Sequence, residues 1–149
     1  MLEIKQTNSS NKDFQNLVKE LDAYLKITDG EDHNFYNQFN GLDKIQHVIV
    51  AYKNNIAIGC GAFREFDSTA VEIKRMYLKP KERGAGIASK ILQSLEVWAS
   101  NLGYKRTILE TGDRQVEAVK FYEKSGYNRI SNYGQYATME NSNCFEKIL

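Results

Sequence analysis

The residues best placed to do chemistry form one stretch, Met76-Tyr77-Leu78-Lys79-Pro80-Lys81-Glu82-Arg83-Gly84-Ala85-Gly86-Ile87-Ala88-Ser89. Its apolar start reads as a strand, its glycines as a tight turn, and the residues after Gly86 as the opening of an amphipathic helix. Such a turn aims unpaired backbone N–H groups at one point, and the positive end of the helix dipole reinforces them. Glycine lets a diphosphate approach the backbone without meeting a Cβ. Arg83, with Lys79 and Lys81 nearby, adds formal positive charge, so a phosphorylated ligand is expected. Two nucleotide signatures do not fit. A P-loop counted from Gly84 requires Gly, Lys and a hydroxyl residue where Ser89, Lys90 and Ile91 stand. A dinucleotide fingerprint requires glycine at Ser89 and an acid where Tyr104 stands. A plain strand-to-helix connection with no ligand is the remaining alternative.

Other reactive side chains are sparse. Cys60 and Cys144 show no CxxC spacing and read as buried small apolar residues of a reducing compartment. His33 and His47 stand alone, and no metal site is expected. Glu72 precedes Met76 by four residues on one strand, so a two-residue period puts both on the same face. Tyr122 follows Ala118 by four on a helix, which also puts that pair on one face.

The elements that must position these residues follow from periodicity. Leu2, Ile4 and Gln6 alternate with polar residues as a first strand. Asn11 caps a helix bearing Phe14, Leu17, Val18, Leu21 and Leu25 on one side, ended by Thr28-Asp29-Gly30. Residues 31–45 suit a short helix or an ordered loop. Strands are expected over Val48–Tyr52, Ile56–Phe66 and Val71–Leu78, with Lys53-Asn54-Asn55 turning the first pair. A helix from about Gly86 to Leu102 is stopped by Gly103. Strand Arg106–Thr111, helix Gln115–Ser125 and strands Tyr127–Ile130 and Asn143–Leu149 complete one mixed α/β domain over residues 1–149. Gly59 and Gly61 mark either a close approach beside a ligand or a bulge.

Composition narrows the function. With 20 Lys and Arg against 19 Asp and Glu, the net charge is +1, without the basic field of a dedicated nucleic-acid binder. No apolar stretch is long enough to span a membrane or direct export, so a cytoplasmic protein is expected, with neither nucleic acid nor membrane as partner.

Arg83-x-x-Gly86-x-Ala88 resembles the [QR]-x-x-G-x-[GA] turn of the GNAT acetyltransferase superfamily, which cradles the pyrophosphate of acetyl-coenzyme A. One strand later, Phe121-Tyr122-Glu123-Lys124-Ser125-Gly126-Tyr127 resembles the family's F-Y-E-K-x-G-[FY] segment, and the strand order matches over nearly the whole chain. The segment Leu109-Glu110-Thr111-Gly112-Asp113-Arg114-Gln115 with Ala118, and the ending Cys144-Phe145-Glu146-Lys147, are similar to a bacterial branch of unassigned substrate.

The resemblance implies a mixed, strongly twisted sheet with helices on both faces and acetyl-CoA as co-substrate. Arg83, Gly84, Ala85, Gly86, Ile87, Ala88 and Ser89 would hold the pyrophosphate. Backbone groups of Met76, Tyr77 and Leu78 would meet pantetheine and the thioester, the Met76 N–H facing its carbonyl. Gln115 stands where many members carry Asn against the pantetheine arm. Tyr122 would protonate the departing sulfur, and Glu72 would act as general base, with Glu110 the second carboxylate candidate. Tyr24 and Tyr36 could wall an acceptor pocket for a small-molecule or peptide amine, with Asp29, Glu31 and Asp32 drawing in a cationic amine. Transfer would be direct, in a ternary complex, without metal or covalent enzyme intermediate. The alternative is a non-catalytic acyl-CoA-binding regulatory module. An exposed last strand could pair two copies into a homodimer.

Overall fold

The computed structural model describes residues 1–29 and 45–149. Tyr36, Glu31 and Asp32, expected at the acceptor side, lie outside the described residues. Seven strands form one sheet: β1 (Leu2–Thr7), β2 (His47–Lys53), β3 (Ile56–Glu65), β4 (Ala70–Leu78), β5 (Arg106–Gly112), β6 (Asn128–Ile130) and β7 (Ser142–Ile148), in the spatial order β1-β2-β3-β4-β5-β7-β6. All neighbours are antiparallel except β4 and β5. Among the described residues three helices, α1 (Lys12–Asp29), α2 (Ile87–Asn101) and α3 (Val116–Lys124), accompany them.

Local chemistry sets the helix positions. Asn11 Oδ1 accepts the Phe14 N–H at 2.9 Å, the expected cap. Phe14, Leu17 and Val18 then bury against Val48, Val50, Cys60 and Ala62 on one face of the sheet. The alternate residues, Ile49, Ile58, Phe63 and Val71, face Ile91, Leu92 and Leu95 of α2 on the other. The two-residue strand period thus sandwiches the sheet between α1 and α2.

One irregularity decides the site. Cys60 pairs with Tyr77 but Ala62 pairs with Lys74, so β4 carries one extra residue opposite Gly61. Within this bulge Arg75 adopts φ 59°, a left-handed conformation that costs a bulky side chain about 1–3 kcal/mol. The Cys60 thiol donates to the Arg75 carbonyl at 3.3 Å and buttresses it. The extra residue reverses the alternation. Ile73 and Met76 both pack with the α2 core, while Tyr77 packs with the α1 core. Glu72 and Met76, expected on one face, therefore lie on opposite faces. Gly61 is explained by the same packing, because a Cβ there would come within 2.5 Å of Met76 Sδ and 2.8 Å of Leu95 Cδ1. Close helix packing, rather than a ligand, requires that glycine.

β4 and β5 pair only from Ala70↔Arg106 to Glu72↔Ile108 and then part. Beyond Glu72 the sheet opens, and Met76 has no register partner on β3 either. At the far edge, β7 lies between β5 and β6, so the pairing edge expected of the last strand is covered along Cys144–Glu146 by the short β6.

Candidate active site

Two clefts meet where β4 and β5 part. The larger, about 700 Å³, runs from the turn before α2 along α2 and α3. The smaller, about 120 Å³, sits in the opening between the two strands. Leu21, Met76, Gln115, Ala118 and Tyr122 line both and so mark the junction. Ala118 and Tyr122 share a helix face there, as their spacing requires.

The larger cleft has the chemistry for a phosphorylated ligand. Gly84 and Gly86 take φ 91° and 78°, and a Cβ on either would meet nothing within 4 Å, so the backbone is bare toward open space. No side chain caps α2 and its first turn carries no acid, leaving the N–H groups and the dipole uncompensated. Arg83, Gly84, Gly86, Ile87, Ala88 and Ser89 all line this cleft, as do Tyr77 and Leu78; Ala85 does not. Arg83 is held by Nε donation to the Leu78 carbonyl at 3.0 Å. Lys79 and Lys81, expected beside the phosphate, instead line a separate groove with Glu20 and Glu82. The 3₁₀ turn over Pro80–Glu82 carries them there, and Lys79 pairs with Glu20 at 3.4 Å. Tyr24, expected among acceptor contacts, also belongs to the larger cleft, its ring 5.9 Å from the Arg83 guanidinium carbon. Leu25 of α1 lines the smaller one instead, and Leu21 lines both.

Tyr122 is buried, with its ring edge-on to Phe121 and Tyr127. Burial alone pushes its phenol up, and its hydroxyl makes no hydrogen bond among the described residues. The neighbouring Tyr127 is pinned by contrast: its hydroxyl donates to Glu96 Oε2 at 2.8 Å and lies 2.8 Å from Thr107 Oγ1. Lys147 closes this network on Glu96 Oε1 at 3.1 Å. The tyrosine that faces the junction is thus the one whose hydroxyl remains available.

In the smaller cleft, Glu72 belongs to the last β4–β5 pair and is 1% exposed. Its Oε1 lies 3.1 Å from Arg64 Nε and 3.7 Å from Lys74 Nζ, and its Oε2 accepts the Tyr133 hydroxyl at 2.6 Å. Glu110 sits on β5 two residues past the last paired position, within the opening. Lys74, Arg75 and Thr111 complete the polar lining, and none of them was singled out from the sequence. The available signal was the Lys74-Arg75 pair inside the strand run AVEIKRMYL, two successive cations where a strand should alternate. Among the described residues no cluster of His, Cys, Asp and Glu could hold a metal ion.

Known proteins resemble this chain in sequence and in fold. The Acetyltransferase (GNAT) family profile matches residues 12–127. Over 135 residues the chain is 30% identical to the IAA acetyltransferase of Azospirillum brasilense, covering 89% of this chain and 88% of that protein. It is 32% identical over 135 residues to the uncharacterized N-acetyltransferase YjgM of Escherichia coli, covering 83% and 80%. A solved chain assigned as an acyl-CoA N-acyltransferase from Klebsiella pneumoniae superposes with a TM-score of 0.84 at 26% identity, over 100% of this chain and 98% of that one. The profile match and these relatives show that the chain belongs to the GNAT family of acetyltransferases.

Proposed function

We propose that the protein transfers an acetyl group from acetyl-CoA to an amine by direct attack within a ternary complex. The observation that carries this reading is the junction at which the two clefts share Met76, Gln115, Ala118 and Tyr122. Donor and acceptor can meet there without passing through solvent. The uncapped α2 N-terminus, the bare Gly84 and Gly86 backbone and Arg83 suit the diphosphate. Bound acetyl-CoA would supply an activated acyl thioester, and the amides of Met76, outside the ladder on both sides, suit its carbonyl.

The remaining chemistry is proton movement by this chain's residues. The acceptor nitrogen forms a bond to the acyl carbon as the C–S bond breaks. Glu110 takes the proton that nitrogen loses, directly or through water, and Tyr122 gives one to the departing sulfur, so amide and free thiol result. We assign proton acceptance to Glu110 rather than Glu72 on geometry. Glu72 sits at the last β4–β5 pair and is buried, whereas Glu110 lies two residues past the last paired position, in the opening. Glu72 is then a positioning residue that holds Lys74 at the acceptor wall. Neither cysteine suits a covalent route. Cys60 and Cys144 are both fully buried, with thiols pushed up to about 12 and about 11. Initial-velocity kinetics of thiol release test the mechanism. Intersecting lines for acetyl-CoA and amine are expected, and parallel lines would require an acetyl-enzyme and refute direct transfer.

A further inference from the structure

The smaller cleft is built for more than an amine. Lys74 and Arg75 are consecutive, and in a regular strand their side chains would point to opposite faces. The bulge at Arg75 brings both to the same cavity. Both side chains are buried, at 6% and 5% exposure. Arg75 Nη1 donates to Asp22 Oδ1 of α1 at 2.7 Å, yet the Arg75 Nε–H is buried with no hydrogen-bond partner. Across the opening on β5, Thr111 Oγ1 is buried and equally unsatisfied. Buried polar atoms are seldom left so. Arg75, Lys74 and Thr111 all line one small cavity, and a guanidinium, an ammonium and a hydroxyl are the donor types that receive an anionic oxygen pair.

Charge and size agree. The cations Arg64, Lys74 and Arg75 are matched by the carboxylates Glu72, Glu110 and Asp22, so no net negative field draws in a polycation. Burial lowers the Lys74 ammonium, although Glu72 pulls the other way, and an added anion beside it would offset that desolvation. The cavity of about 120 Å³ equals about four water volumes, room for an amine, its carbon and a carboxylate but not for a bulky acceptor.

We propose that the acceptor is an amino carboxylate, its carboxylate received by Arg75 and Lys74 and its amine presented to the junction at Met76 and Tyr122. This rests on the acetyltransferase reading above. The rest of such an acceptor would extend out of the cavity, past Leu25 and Tyr136.

Thiol release from acetyl-CoA by the full chain, measured with free amino acids, their carboxamides and simple alkylamines, tests the proposal. For at least one amino acid, kcat/KM is expected to exceed that of its own carboxamide tenfold or more. Saturation-transfer NMR with coenzyme A present should detect the acid and not the amide, independently of turnover. Arg75→Lys keeps a charge for Asp22 but loses Nε, and it should shrink the acid-to-amide ratio at least threefold, as should Lys74→Met. Amides or alkylamines used as well as the acids by the unaltered protein would overturn the carboxylate assignment while sparing the acetyltransferase reading. So would a ratio unchanged in both variants. Thiol release with none of the three acceptor classes would instead overturn the acetyltransferase reading itself, and this assignment with it.

Discussion

Replacing Tyr122 by Phe removes one oxygen from the junction and little else. The hydroxyl makes no hydrogen bond among the described residues, so no partner is orphaned by its loss. The melting temperature should therefore hold. Coenzyme affinity should stay within about twofold, because the turn at Arg83–Ser89 holds the charged end of the ligand. Turnover is another matter. A positioned acid is worth about 10²–10⁴-fold, or about 3–5 kcal/mol of barrier. A phenol is protonated at neutral pH and so has a proton to give as charge develops on the sulfur. Thiol release at saturating acetyl-CoA, calorimetric titration of coenzyme A and a thermal melt on the same sample give all three numbers. Turnover within threefold of the parent would refute the assignment of Tyr122 as the acid. A melt lowered by more than about 2 kcal/mol would show instead a structural hydroxyl.

Gly86→Ala combines left-handed backbone strain of about 1–2 kcal/mol with a methyl group placed in the open space above the turn. It should weaken coenzyme A binding by more than about tenfold in calorimetry. A loss of stability with unchanged affinity would place the diphosphate elsewhere. Alkaline pH gives a further prediction. Burial raises the phenols of Tyr122, Tyr127 and Tyr136 above the ordinary 10.0, so the unfolded chain sheds these protons first and binds fewer than the folded protein. Stability is then intact below about pH 10 and falls above it by about 1.4 kcal/mol per pH unit for each phenol. Cys60 and Cys144 add to this loss from about pH 9, the ordinary thiol value of 9.0. A urea midpoint that is flat from pH 8 to about 10.5 would contradict this burial.

Most of the frame was legible because it rests on local chemistry. Asn11 caps α1 through its own side chain, Pro80 and Gly103 punctuate where their backbones demand it, and the apolar stripe of α2 repeats at helical spacing. The turn was legible for the same reason, since Gly84 and Gly86 are needed for positive φ. What escaped was non-local. A left-handed Arg75 carries no mark in sequence, because the conformation is held by packing around Gly61 and by the Cys60 thiol. That single residue inverts the alternation and separates Glu72 from Met76. Glu72 meets Tyr133 across 61 positions of chain, a contact that no periodicity announces. Tyr24 missed the acceptor cleft by one helical position, Leu25 taking that place.

The central claim is that the turn before α2 grips the coenzyme and delivers its thioester to Met76 and Tyr122. Titration of isotope-labelled protein with acetyl-CoA, followed by backbone amide shifts, tests it most directly. The largest changes are expected at Gly84–Ser89 and at Met76, with smaller ones along Ala118–Tyr122. Saturable binding that leaves those amides unmoved, or no binding at all, would contradict it.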